Sequence, residues 1–119
     1  MKPHQHQLQS LYEAFNARDI EAVLAAMQPD VQWANGLEGG FVYGRDAVRE
    51  YWIRQFETMQ PHLTILGFQT DAGGREVVTV HQIVRDLQGA LLLEQKVQHR
   101  FSFQNGLVEL FEIVDLESL

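Results

Sequence analysis

The stretch KVQHRFSFQNGLVELFEIVD, residues Lys96–Asp115, decides the fold. Two β-rich arms flank Asn105-Gly106, a dipeptide suited to the tight turn of a hairpin because both of its residues accept positive φ. The first arm alternates. Val97, His99, Phe101 and Phe103 fall on one face, and Gln98, Arg100 and Ser102 on the other. Side chains of a strand point to opposite faces in turn, so this arm buries one face and exposes the other. His99 is the polar residue on the apolar face, and it is the first place to look for chemistry.

The register of the second arm is open to two readings. A two-residue turn would set Val108, Leu110, Glu112 and Val114 on the face of His99. A three-residue turn with a bulge would set Phe111, Ile113 and Asp115 there. The second is favoured, because it surrounds His99 with aromatic side chains and does not bury Glu112 beside it.

Working outward, the sequence upstream of this hairpin is also strand-rich. Residues 62–70, 75–86 and 90–103 read as strands separated by Gly73-Gly74 and Leu87-Gln88-Gly89. The first half is helical by contrast. Leu8, Leu11, Tyr12 and Phe15 form one apolar stripe, which predicts a helix over 4–17. Asp19 is a good N-cap for a short helix over 20–27, ended by Pro29-Asp30. Residues 31–35 read as a strand with Val31, Trp33 and Asn35 on one face, and 41–43 as a second short strand. Gly36, Gly39 and Gly40 between them lack phosphate-loop spacing and read as turn residues. A third helix, 46–59, carries Val48, Tyr51, Trp52 and Phe56 on a wide apolar stripe, and Pro61 stops it.

Helices followed by a meander of long strands is an α+β pattern. The sheet must bury one face, and the three helical stripes are the available cover. A curled sheet packed on helices leaves a pocket.

The bulk numbers narrow the function classes. A chain of 119 residues with 45% apolar content has the size of one domain spanning 1–119 and buries a core without staples. It has no cysteine, hence no disulfide, thiolate nucleophile or cysteine metal site, as expected of a cytoplasmic protein. A net charge of −7 with dispersed acids opposes nucleic-acid binding. Neither a signal peptide nor a membrane-spanning run is visible. His4 and His6 diverge on a helix, so no metal pair forms, and no cofactor motif is present.

Several segments resemble a known superfamily. These are Asn16-Ala17-Arg18-Asp19, Pro29-Asp30-Val31, the run GRDAVREYW from Gly44 to Trp52, and the closing strand Phe111-Glu112-Ile113-Val114-Asp115. Over nearly its whole length the chain is similar to the nuclear transport factor 2-like superfamily, in its SnoaL-like and ketosteroid isomerase-like branch. The resemblance implies a cone, in which a curved antiparallel sheet packs on three helices of the N-terminal half around an internal cavity. It also implies a homodimer, formed here through the sheet. Isomerases, cyclases and dehydratases belong to the group, as do members without known activity.

The resemblance does not carry over the steroid isomerase's chemistry. Those enzymes use a carboxylate base, with a tyrosine and a protonated aspartic acid as oxyanion donors. Here the base position falls on Asn35, which cannot take a proton. The tyrosine position falls on Leu11, with Tyr12 one residue away, and the aspartic acid position on His99. The aspartate–arginine–aspartate set of the epoxide hydrolases is not seen either.

The expected site is therefore built on His99 as general acid or base. Tyr12 or Asn35 would polarise a carbonyl oxygen, and Asp115 would orient the histidine. Trp33, Trp52, Phe56, Phe101, Phe111 and Ile113 are expected to line the cavity. So is His81 or Gln82, which occupy opposite faces of one strand, both partly apolar. The expected ligand is a small apolar molecule bearing a carbonyl. The alternative is a non-catalytic dimeric ligand-binding or interaction module, with His99 a core histidine satisfied by a neighbour.

Overall fold

A computed structural model of the chain describes residues 2–36 and 38–117, with side chains as far as Val114. Helix α1 spans Pro3–Asn16, with proline in its first turn, where a missing N–H costs nothing. Leu8, Leu11, Tyr12 and Phe15 are its buried residues, which is the predicted stripe. His4, near the start of α1, stacks on Phe103 at a centroid distance of 4.1 Å and ties the helix to the sheet. Helix α2, Ile20–Leu24, is capped by Asp19, whose side chain accepts the Ala22 N–H at 3.2 Å.

The sequence extends α2 to residue 27, but Met27 opens strand β1, Met27–Ala34. Pro29 is the reason. It drives the residue before it into extended geometry, and it lies in the irregular part of β1 between Met27 and Gln32, where the ladder is interrupted. Met27 is buried in either reading, so its hydrophobicity does not discriminate.

Strand β2, Phe41–Tyr43, pairs with β1, and helix α3, Arg45–Thr58, follows. Strand β3, Met59–Thr70, starts directly after α3 and contains Pro61. It lies at the sheet edge, so the proline's missing donor breaks no inner ladder. Strands β4, Glu76–Asp86, β5, Leu91–Gln104, and β6, Leu107–Glu117, complete the meander.

The sheet order is β2-β1-β6-β5-β4-β3. Every pair is antiparallel except β1–β6, so the expected antiparallel sheet is mixed. A parallel pair needs a long connection between its strands, and here α3 and four strands supply it.

The hairpin that opened the sequence analysis combines the two readings of its register. Gln104 pairs with Leu107, so the turn has two residues, with φ of 52° at Asn105 and 79° at Gly106. Positive φ at both matches the twist of the flanking strands. The bulge lies farther on. Ser102 pairs with Leu110 but Phe103 with Val108, which leaves Glu109 as the extra residue. One extra residue exchanges the faces of everything beyond it. Val108 before the bulge and Phe111 and Ile113 after it therefore share the face of His99.

The three helices cover that face. Trp33 stacks on Phe111 at 4.1 Å and meets Trp52 edge-on at 5.3 Å, and Phe15 meets Trp52 at 5.5 Å. This aromatic seam joins β1, β6, α3 and α1. Among the described residues no helix is long and apolar enough to cross a membrane.

Candidate functional site

The helices do not fill the concave face completely. A cavity of about 300 Å³ remains between α1, α3 and the strands, at the lower end of the range for sites that hold a small organic molecule. Its wall on β5 is one alternating row: Leu93, Gln95, Val97, His99 and Phe101. Leu92 and Leu93 are 56% and 41% exposed and mark the mouth, while Phe101 at 1% belongs to the floor.

His99 and Tyr12 meet at the deep end. The Tyr12 hydroxyl lies 2.6 Å from His99 Nδ1, and both residues are buried. The sequence left Tyr12 a third of a turn away from the position that should face the cavity. In the structure Leu11 and Tyr12 both line it, and the longer tyrosine reaches the histidine. Phe111 meets the imidazole edge-on at 4.7 Å, and Phe101 packs against both Tyr12 and His99.

These surroundings decide the charge states. Burial pushes His99 down to about 3 and pushes the Tyr12 phenol up, because an apolar site disfavours the charged form of each. Near neutral pH the pair is a phenol beside a neutral imidazole. A tyrosine O–H donating to Nδ1 leaves the hydrogen on Nε2, which is then a donor. Among the described residues no buried side-chain polar atom lacks a partner. Among the described residues Nε2 has no hydrogen-bond partner but Nδ1 does, so Nε2 keeps open surface towards the cavity that His99 lines.

The remaining expected residues fall as follows. Trp33, Trp52, Phe101, Phe111 and Ile113 line the cavity, and so does Gln82. His81 lies on the outer face, where its Nε2 is 2.7 Å from Glu94. Strand alternation sends one of the two outward, and the cross-strand pairing of Gln82 with Gln95 fixes which. Phe56 is not a lining residue. It packs edge-on against Phe15 at 5.4 Å, with the Arg18 guanidinium 4.6 Å from its ring centre.

Asn35 lies outside the cavity wall. Its Oδ1 accepts the Glu38 N–H at 3.0 Å and its backbone carbonyl accepts from Gly39. The glycine turn, rather than a ligand, occupies these groups. The side chain of Asp115 lies outside the described residues, and its backbone pairs with Gln98.

Sequence reasoning does not find Gln95 and Gln55, which also line the cavity, as does Tyr51 of the α3 stripe. Gln95 has the strand parity of His99, so alternation alone was enough to find it. The outer face, expected to be apolar enough for a partner, carries a bidentate Arg100–Glu112 pair, both contacts at 3.0 Å, beside Val77.

A family model described as a SnoaL-like domain matches residues 8–111. The chain belongs to the SnoaL-like family. No curated protein matches the sequence. Among solved structures, an NTF2-like protein of unknown function from Burkholderia pseudomallei is 30% identical, with 96% of this chain and 91% of that one covered, and a TM-score of 0.83. TerC, co-crystallised with polyporic acid, is 26% identical with 95% and 91% covered and a TM-score of 0.81. A Mycobacterium tuberculosis protein in complex with estradiol-17β-hemisuccinate is 16% identical, with 97% and 95% covered and a TM-score of 0.76. The last likeness is one of fold alone.

Proposed function

We propose that this SnoaL-like protein holds a small apolar molecule bearing a carbonyl in its cone and polarises the carbonyl oxygen through His99 Nε2. The observation that carries this reading is the Tyr12–His99 hydrogen bond at the deep end of an otherwise apolar cavity. Tyr12 orients the imidazole and holds the tautomer that donates. A histidine held at about 3 is a poor proton acceptor near neutrality. That low value supports donation from a neutral imidazole over the proton transfer by His99 expected from the sequence. Isomerisation, cyclisation or dehydration would each draw on a polarised carbonyl.

The test uses Trp33 and Trp52, the two tryptophans of the chain, which both stand in the cavity wall. Polyporic acid, the molecule crystallised with TerC, serves as the probe. Saturable quenching of tryptophan fluorescence is the expected result, with affinity reduced about tenfold in His99→Phe, the worth of one good hydrogen bond. An affinity unchanged in His99→Phe would remove His99 from the site.

The reading also includes a second copy of the chain on the outer face of the sheet, where Val77 and Ile83 lie among the charged pairs. Sedimentation equilibrium at micromolar concentration is expected to give twice the 13.7 kDa chain mass. A single-chain mass there sinks the dimer and leaves the cavity untouched.

A further inference from the structure

A second polar station lies on the same row of side chains as His99. Gln95 pairs with Gln82 across the β4–β5 ladder, and its Nε2 donates to Gln82 Oε1 at 2.7 Å. Both amides line the cavity. They stand among Val80, Val84 and Val97, all buried. An amide in such company is costly unless its groups are used. The single bond between the two leaves the Gln82 NH₂ and the Gln95 carbonyl with spare hydrogen-bonding capacity. No buried side-chain polar atom among the described residues is without a partner, so what is spare retains open surface.

The ladder gives the spacing. Gln95 precedes His99 by four residues with Val97 between them, and at the usual rise of a strand this is about 13 Å. On β5 the wall between the two stations is Val97, which pairs with the buried Val80 of β4.

We infer that the Gln82–Gln95 pair is a second anchor of the cavity, and that its ligand is an elongated molecule with an oxygen at each end and an apolar middle. One oxygen accepts from His99 Nε2 at the deep end. The other meets the amide pair nearer the mouth, which can donate to it or accept from it. The inference rests on the reading of the cavity as a ligand site and adds the length and polarity pattern of the ligand. It also separates two kinds of molecule that the volume alone admits. A compact single-ring ketone reaches one station, whereas a rod of two linked rings reaches both.

The experiment is calorimetric titration of the full chain with two rod-shaped probes. One is trans-stilbene with a para-hydroxyl on each ring, and the other carries the hydroxyl on one ring only. The two-ended probe is expected to bind about tenfold more tightly, the increment of one added hydrogen bond. In Gln82→Leu/Gln95→Leu that ratio is expected to fall to about one, with the one-ended probe keeping its affinity. Gln95→Met, which preserves side-chain length, gives the same comparison where the double variant does not fold. A ratio near one in the wild type, or a tenfold ratio that survives these substitutions, overturns the second anchor and spares the cavity reading. Failure of both probes to bind the wild type overturns the cavity reading, and the anchor with it.

Discussion

Stability measured by urea unfolding is expected to fall by about 3–4 kcal/mol between pH 7 and pH 4 through His99 alone. In the folded protein burial holds this imidazole at about 3, and in the unfolded chain it titrates near 6.5. Between those values the unfolded state binds one proton more than the folded state. The slope of stability against pH is then positive, at about 1.4 kcal/mol per unit. The contribution is complete above about pH 6.5 and disappears progressively as the pH falls towards 3. It is a large share of the 5–15 kcal/mol that holds a domain of this size together. Tyr12→Phe/His99→Leu removes the titrating ring and its hydrogen-bond partner together, so that neither is left buried alone. The double variant should lose about one proton's worth of slope over this window. Parallel curves for the two proteins would show that the imidazole takes its proton without leaving the folded state, and would end the description of His99 as buried and neutral.

The second large effect belongs to Phe101. Its ring is 1% exposed and lies 5.1 Å from Phe111, 6.1 Å from Tyr12 and 6.2 Å from Trp33. Phe101→Ala is expected to cost about 3–5 kcal/mol, as burial is lost and the neighbours close only part of the gap. Because Phe101 is also a lining residue, the space it vacates joins the existing cavity. The denaturation midpoint should fall with little change in the slope of unfolding free energy against urea. A bulky apolar ligand should recover part of the loss by mass action. A cost below about 1 kcal/mol would mean that the aromatic floor is not packed as described.

Much of this arrangement was legible in the chain. The stripe Leu8, Leu11, Tyr12, Phe15 and the alternation around His99 follow from periodicity, which burial imposes directly. The family resemblance supplied the cone, since neither period says how a sheet curves. Other features were hidden for identifiable reasons. His81 and Gln82 both have apolar companions two residues away, so alternation cannot orient their strand. The orienting fact is the pairing of Gln82 with Gln95, a contact between strands. Glu109 carries no mark of a bulge, because an extra residue in a strand needs no special side chain in this geometry. Met27 satisfied a helical and an extended pattern equally, and only the proline two residues later separates them. Strand parity sets Asn35 on the face of Trp33, whereas its amide oxygen serves the turn that follows.

The parallel pairing of β1 with β6 has a consequence for how the protein is made. The ribosome releases β1 well before β6, with α3 and four strands in between. Until β6 emerges, β1 has only the short β2 beside it, and the aromatic seam lacks Phe111. Closing the sheet is therefore a long-range event that waits for β6, and such events are slow compared with helix formation. Nascent chains that stop before β6 present an unpaired, partly apolar edge, the kind of surface that chaperones bind and that aggregates form upon.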